Sequence, residues 1–385
     1  MWGSKGILPD GINQGILGDC WLLCAFSALA EWPDRLKKVI TNNEYSPEGI
    51  FEFNFFNAGN KEKVVIDDRL PYEDGVDYGS YYTLGQLSFT KKSSNGAYWV
   101  PLIEKAAAKF YGSFSNMSGG NTAESLYMLT GMPTRSIYSV ETTGDKLWDT
   151  VHDANARQWI MAAGNQIPKY GLPGGHAYSL IHTHKLADGT KLLKLRNPWG
   201  TEVYTGPYSD AKLTEAQKTE LNHTAGDDGY FWIDMPTFTE VFSSSSIAMY
   251  ENWVVSKLDH TWDRTEANRG NWKVVNSAAQ DVVIGVEMMS ERMFPTSNCD
   301  TPQMPDQVPF QLKDSTGNIV SDRYGSDWSV TMDQTGRGYL FFENLPEGTF
   351  TMEQVRYGAQ PYHTGNLNFK VVSYGLTAGA YLYAK

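Results

Sequence analysis

The chain is poor in cysteine: Cys20, Cys24 and Cys299 are the three among 385 residues. An odd, sparse count offers no disulfide framework and suits a reducing compartment. Positive charge is not in excess either. Thirty-two Lys and Arg face 44 Asp and Glu, for a formal net charge of -12. Nucleic acid is therefore not expected as a partner, because it calls for a basic face. No apolar run approaches the roughly 20 residues that span a bilayer, so no transmembrane segment is expected. Residues Met1 to Gly6 lack the apolar core of a signal peptide, and a cytoplasmic location is the expectation. No fixed-period repeat or low-complexity tract is present.

What is present is a globular composition, 41% hydrophobic and 20% charged, in a chain too long for one ordinary core. Its organising stretch is Gln14-Gly15-Ile16-Leu17-Gly18-Asp19-Cys20-Trp21. Glycines hold the approach out of regular structure, and a nearly unbroken apolar run follows from Trp21 to Ala30. That run has too few polar positions for a surface helix and predicts one buried on most sides. Asp19 or Gly18 stands where an N-cap belongs, which puts Cys20 in the first turn. There the free N–H groups and the positive end of the helix dipole favour a thiolate, the reactive form of cysteine. A buried, inert cysteine is the plain alternative.

Two strands, Ile50 to Phe55 and Lys63 to Asp67, are joined through Asn57-Ala58-Gly59-Asn60, and a polar aromatic loop covers Asp74 to Tyr82. Helices are expected over 35–40, Tyr98 to Tyr111, 122–129 and 145–156. Strands are expected over 158–163, Ala177 to His184, Lys191 to Arg196, 228–233 and 246–253. Past about Ser256, eight short strand-like runs separated by turn residues predict a β-sandwich. The expected class is α+β, divided into 1–119, 120–254 and an all-β domain over 255–385.

A thiol nucleophile needs a base, a group that orients the base, and donors for the oxyanion. His176 opens one strand and Asn197 ends the next, and a hairpin turning at Asp188-Gly189 brings both to one end of the ladder. His182 and His184 are read as sharing the strand face of His176. At roughly 3.3 Å per residue His182 lies about 20 Å from it, too far for one metal. His152 is read as a helix-surface residue, and His223, His260 and His363 as loop residues. Cys24 is read as core.

These residues carry a resemblance. Gln14 to Leu23, Val64 to Pro71, Tyr98-Trp99 with Leu102 to Ala106, Gly175 to Ser179, Arg196 to Gly200, Thr205 to Asp210 and Asp228 to Trp232 occur in the order found in calpain-type cysteine proteases. About 250 residues are covered. The resemblance implies a papain-like two-lobed core and a calpain-type β-sandwich. It implies Cys20 as nucleophile, His176 as general base and acid, Asn197 as orienter, Gln14 as oxyanion donor and Trp199 as a shield over the Asn197–His176 bond. Protein or peptide substrates follow, as does possible docking of lipid or protein by the β-sandwich.

In that family each half of the core usually binds Ca²⁺. Here Gly11 and Ala97 stand where carboxylates are expected, although Asp10 is adjacent. Asp210 and Asp228 match the second site, but its other acidic positions hold Val203 and Tyr230, with Glu202 adjacent. Calcium wants six to eight oxygens. The expectation is an endopeptidase that requires no cofactor, with Ca²⁺ dependence weak or absent and Asp210 and Asp228 as a partial site or as turn caps. No EF-hand loop appears. A catalytically silent binding module and an acyl transferase are the other readings.

Overall fold

The computed structural model describes residues 1–42, 44–72, 86–91, 93, 96–263, 269–293, 307–331, 335–355 and 366–384. The expected loop from Asp74 to Tyr82, Cys299 and His363 lie outside the described residues. The chain divides into two compact units. The first comprises Met1–Phe55, Glu62–Thr130 and Ser136–Met249; the second comprises Phe56–Lys61, Gly131–Arg135 and Tyr250–Lys385.

The first unit is built on α1 (Cys20–Ala30), in which every residue after Cys20 is buried. Such a helix has no solvent face, which is why its sequence is apolar all round. Short α2 (Pro33–Val39) follows, then strands β1 (Ile50–Asn57) and β2 (Asn60–Asp67), which pair through a tight turn. Helix α3 (Trp99–Phe110) packs beside them, and α4 (Thr122–Thr130) packs against α1. Polar pins fix α1: Ser125 Oγ donates to Trp21 O at 2.7 Å, and Trp21 Nε1 donates to Met117 O at 2.8 Å.

The rest of this unit is a six-stranded sheet. Its strands are β3 (Thr134–Tyr138), β4 (Ile160–Asn165), β5 (His176–Lys185), β6 (Lys191–Arg196), β7 (Tyr230–Asp234) and β8 (Phe242–Ala248). They lie in the order β3-β8-β4-β5-β6-β7. Helices α5 (Gly144–Ala156), α6 (Glu215–Glu220) and α7 (Met235–Val241) complete the unit. The last two have no counterpart in the sequence reading, being six and seven residues long. The strand expected over 246–253 instead runs from Phe242 to Ala248.

The β5–β6 hairpin turns where the sequence places it. Gly189, at φ +92°, donates its N–H to Leu186 O, and Asp188 Oδ1 accepts from the Thr190 N–H. One correction follows from its register. The pairing shifts between Leu180 and His182, so His182 falls on the opposite face from His176, Tyr178 and Leu180. His182 and His184 do not share the face of His176. They meet Asn155 Oδ1 at 3.0 Å and Glu220 Oε1 at 3.5 Å instead.

The second unit is an all-β sandwich. Nine strands are seen among the described residues: β9 (Val254–Trp262), β10 (Asn271–Asn276), β11 (Gln280–Glu287), β12 (Pro309–Lys313), β13 (Ser329–Val330), β14 (Arg337–Leu345), β15 (Gly348–Gln354), β16 (Leu367–Gly375) and β17 (Ala380–Ala384). One sheet runs β13-β12-β15-β10-β17 and the other β14-β11-β16-β9. Val274, Phe310 and Met352 from the first sheet and Ile284, Leu340 and Val371 from the second share one apolar core. Strand β9 escaped the sequence reading because its residues alternate between exposed and half-buried, so its inward face carries little apolar signal. His260 lies on this strand, not in a loop.

Candidate active site

Three pieces of backbone converge at the start of α1. The first is the loop Ile12 to Asp19. At Gly15 a Cβ would lie 1.6 Å from the Phe89 carbonyl oxygen, so only glycine permits this approach. The Gln14 N–H donates to Pro198 O at 2.9 Å, which ties the loop to the residues after β6. The second piece is the start of β5. The third is the turn Asn197-Pro198-Trp199-Gly200, where Gly200 has φ +74° and a side chain would strike Asn13.

Cys20 is half-buried at the first residue of α1. Its sulfur accepts from the backbone N–H of Ala177, the residue after His176. Ser179 Oγ donates to Cys24 O at 2.7 Å, which clamps the same strand to the same helix. Cys24 itself is fully buried, in keeping with a core residue.

His176 is buried, and its Nε2 lies 2.9 Å from Asn197 Oδ1. The ladder explains the meeting. Ser179 pairs with Arg196, so Asn197 falls beside Tyr178, two residues from His176 and on its face. The carboxamide is oriented by its neighbours: Nδ2 donates to Thr201 O at 3.2 Å, and Oδ1 accepts the Trp199 N–H at 3.1 Å. With oxygen facing the ring, Nε2 is the protonated nitrogen and Nδ1 is the free base. The Trp199 ring covers the imidazole at 4.5 Å between centroids, while 40% of Trp199 remains exposed.

Burial dominates the titration of both groups. It pushes the Cys20 thiol up, against the N–H groups of Ala177, Trp21 and Cys20 that lower it, while Asp19 raises it further. It pushes the His176 imidazole down, against the Asn197 hydrogen bond that raises it. Each group by itself is thus favoured uncharged, so the helix terminus alone does not generate a thiolate here.

Gln14 reaches the same corner. Its Nε2 donates to Leu17 O at 2.6 Å and lies 3.4 Å from Asp19 Oδ1, while Oε1 is buried and has no partner among the described residues. Both amide hydrogens are engaged, so donation to an oxyanion requires the amide to leave Leu17.

The calpain family cysteine protease domain matches residues 2–249. The chain belongs to the calpain family. Human calpain-14 is 36% identical over 243 residues, covering 60% of this chain and 34% of that protein. Mouse calpain-5 is 29% identical over 316 residues, covering 69% and 48%. The calpain-type cysteine protease ADL1 of japonica rice is 33% identical over 257 residues, covering 63% and 11%. The chain therefore spans less than half the length of each of these curated relatives.

Calpain-family proteins are in general regulated by calcium, and the acidic side chains of this core bear on that ion. Asp210 is engaged through both carboxyl oxygens and Asp228 through one. Asp210 Oδ1 meets His223 Nε2 at 2.6 Å, and its Oδ2 accepts the Gly226 N–H at 2.8 Å. Asp228 Oδ1 accepts the Tyr230 N–H at 3.0 Å. Glu202 Oε1 accepts the Asp210 N–H at 3.3 Å, and burial beside Asp210 and Asp228 pushes its carboxyl up to about 7. Tyr230 turns its hydroxyl to Glu31 Oε1 at 2.7 Å. Ala97 is fully buried and supplies no ligand. No group of three or more His, Cys, Asp or Glu among the described residues could hold a metal. A hard cation needs more free oxygens than this, and these residues do not fit Ca²⁺.

Sequence reasoning missed Arg196. It is fully buried and donates to Ile12 O at 3.0 Å and Ser27 Oγ at 3.3 Å. It also missed the Tyr230–Glu31 bond and the buried carboxyls of Asp19 and Glu104. Their only signal was an acid inside an apolar pattern, which does not name its partner.

Proposed function

We propose that the chain is a cysteine endopeptidase in which Cys20, His176 and Asn197 form the catalytic triad, acting on protein or peptide substrates with weak or no calcium dependence. The observation that carries this reading is the oriented His176–Asn197 pair, which leaves Nδ1 as the base at the end of β5 that holds the Cys20 sulfur. His176 takes the thiol proton as Cys20 attacks the peptide carbonyl. The attraction between thiolate and imidazolium offsets the burial that disfavours each alone. The tetrahedral oxyanion takes the Cys20 N–H and the Gln14 amide, released from Leu17 as substrate enters. His176 then protonates the leaving amine, and water, deprotonated by His176, hydrolyses the thioester. Trp199 keeps water off the His176–Asn197 bond.

Support for calcium independence comes from contacts that already join the two halves of the core. Gln14 N–H to Pro198 O, Arg196 to Ile12 O and Ser27 Oγ, and Tyr230 to Glu31 all run between the α1 half and the sheet. Medium-sized apolar side chains near the scissile bond, in exposed linkers, are the proposed substrate preference, on the family resemblance.

The test is a fluorogenic peptide assay of the full chain and Cys20→Ser, in chelator and in excess calcium, with an active-site epoxide as a label. Cleavage at similar rates in both conditions, labelling at Cys20 and a silent Cys20→Ser are expected. Absence of both cleavage and labelling would identify a silent binding module. Amine incorporation without cleavage would indicate acyl transfer. A strict millimolar calcium requirement would overturn the calcium part alone.

A further inference from the structure

Two carboxyl groups meet in the interior behind Cys20. Asp19, at the N-cap of α1, is fully buried, and Glu104, on α3, is 1% exposed. Their side chains lie close enough to hydrogen-bond to each other once one of them holds a proton. Asp19 Oδ2 and Glu104 Oε1 are buried and find no hydrogen-bond donor among the described residues. Glu104 Oε2 accepts the Thr90 N–H at 2.9 Å, and Asp19 Oδ1 faces Gln14 Nε2 at 3.4 Å. Ionised carboxylates are acceptors only, so two of them cannot hydrogen-bond without a proton between them. Two like charges in contact in a dry interior would also repel strongly.

We infer that Asp19 and Glu104 share one proton, carried on Asp19, and that this makes Asp19 a positioning residue for Cys20 and Gln14. The inference rests on the reading of Cys20 as nucleophile. The proton belongs on Asp19 because Glu104 has the better donor, the Thr90 N–H, to support its charge. Burial and the neighbouring Glu104 charge both push the Asp19 carboxyl well above the usual range, in agreement with that assignment.

The consequence falls on the first turn of α1. A carboxylate at an N-cap ordinarily accepts the N–H of the second or third helical residue. Asp19 makes no such bond; the N–H groups of Leu22 and Leu23 go to its backbone carbonyl instead. Turned toward α3 and protonated, its side chain leaves the Trp21 N–H to the sulfur, beside the Cys20 N–H that an oxyanion would take. It also places no full negative charge beside Cys20, whose thiol an ionised Asp19 raises. The titratable groups facing Asp19 are Glu104 from α3 and Cys20 and Cys24 from its own helix.

Infrared spectroscopy of the full chain at pH 8 tests the proton directly. A protonated-carboxyl C=O band is expected, and it disappears in Asp19→Asn. Kinetics test the positioning role. Asp19→Ala lowers kcat about 100-fold with little change in KM, the scale of a misplaced oxyanion donor. Asp19→Asn, which keeps an N–H donor toward Glu104, restores most of the rate and leaves the acid limb of kcat/KM in place. A limb displaced downward by about half a unit or more in Asp19→Asn would mean that Asp19 was ionised and would overturn the inference. So would the absence of the carboxyl band in the unmodified chain. If Asp19→Ala does not fold, the band and Asp19→Asn still decide. If the unmodified chain neither cleaves peptide nor takes the epoxide, the functional reading has failed, while the band reports on the shared proton independently.

Discussion

His176 Nε2 and Asn197 Oδ1 lie 2.9 Å apart, and the same Asn197 oxygen accepts the Trp199 N–H at 3.1 Å. The carboxamide is thereby held with its oxygen toward the ring, which fixes the imidazole tautomer. Replacing Asn197 by Ala should lower kcat by roughly 10²-fold, within the range attributed to a positioned general base. Asn197→Asp should behave differently. A carboxylate on Nε2 favours imidazolium, so the acid limb of kcat/KM should move to higher pH. A pH–rate series on both variants checks this.

The unmodified chain should keep its activity below the ordinary histidine range, because burial holds the His176 imidazole down. The same shift carries a stability consequence. In the window below the ordinary histidine pKa and above the folded one, the unfolded chain binds a proton that the folded chain refuses. Stability therefore falls as pH drops through that window. Denaturant titrations of the unmodified chain and His176→Gln at pH 8 and pH 5 should show the larger acid loss in the unmodified chain.

Glu202 titrates in the opposite sense. Its carboxyl is raised to about 7 by burial beside Asp210 and Asp228, so the folded state holds a proton that the unfolded state has released. Its contribution is fully present below the ordinary carboxylate range and is lost as pH rises through about 7. Glu202→Gln should raise the thermal midpoint at pH 8 and change it little at pH 4.

Arg196 is buried between the two halves of the core, and its guanidinium reaches Ile12 O and Ser27 Oγ. Arg196→Met keeps the apolar stem but leaves these acceptors unpaired, a loss of about 1–3 kcal/mol for a buried group. Since Asn197 is the next residue and Gln14 lies two beyond Ile12, kcat should fall more than KM rises. Denaturant titration and steady-state kinetics of one preparation measure both.

The hydroxyl of Tyr230 donates to Glu31. Tyr230→Phe keeps the ring but removes that bond, and should cost about 1.5–3 kcal/mol, as for a hydrogen bond to a charged group. If such contacts take the place of a cation between the halves, the variant should lose activity in chelator and calcium alike. Activity recovered by calcium would show that a cation site survives.

Much of this was legible in residue order alone. The apolar run after Cys20 announced a buried helix because no other setting tolerates ten consecutive buried positions. Asp188-Gly189, midway between His176 and Asn197, announced the hairpin because Gly189 can take the positive φ that the turn needs. The strands of the sandwich showed wherever one face was apolar, and β9 did not because its inward face is only half-buried. The register shift before His182 left no local mark, and with it went the face on which His182 and His184 lie.

Residue order thus determined the family, the two kinds of architecture and the local settings of Cys20, His176 and Asn197, because those depend on short-range pattern and turn chemistry. Tertiary structure alone decided the electrostatics. Whether Asp19 caps a helix or shares a proton with Glu104, and whether Asp210 awaits a cation or pairs with His223, depends on groups distant in sequence meeting away from water. There, the loss of solvent sets which charges survive.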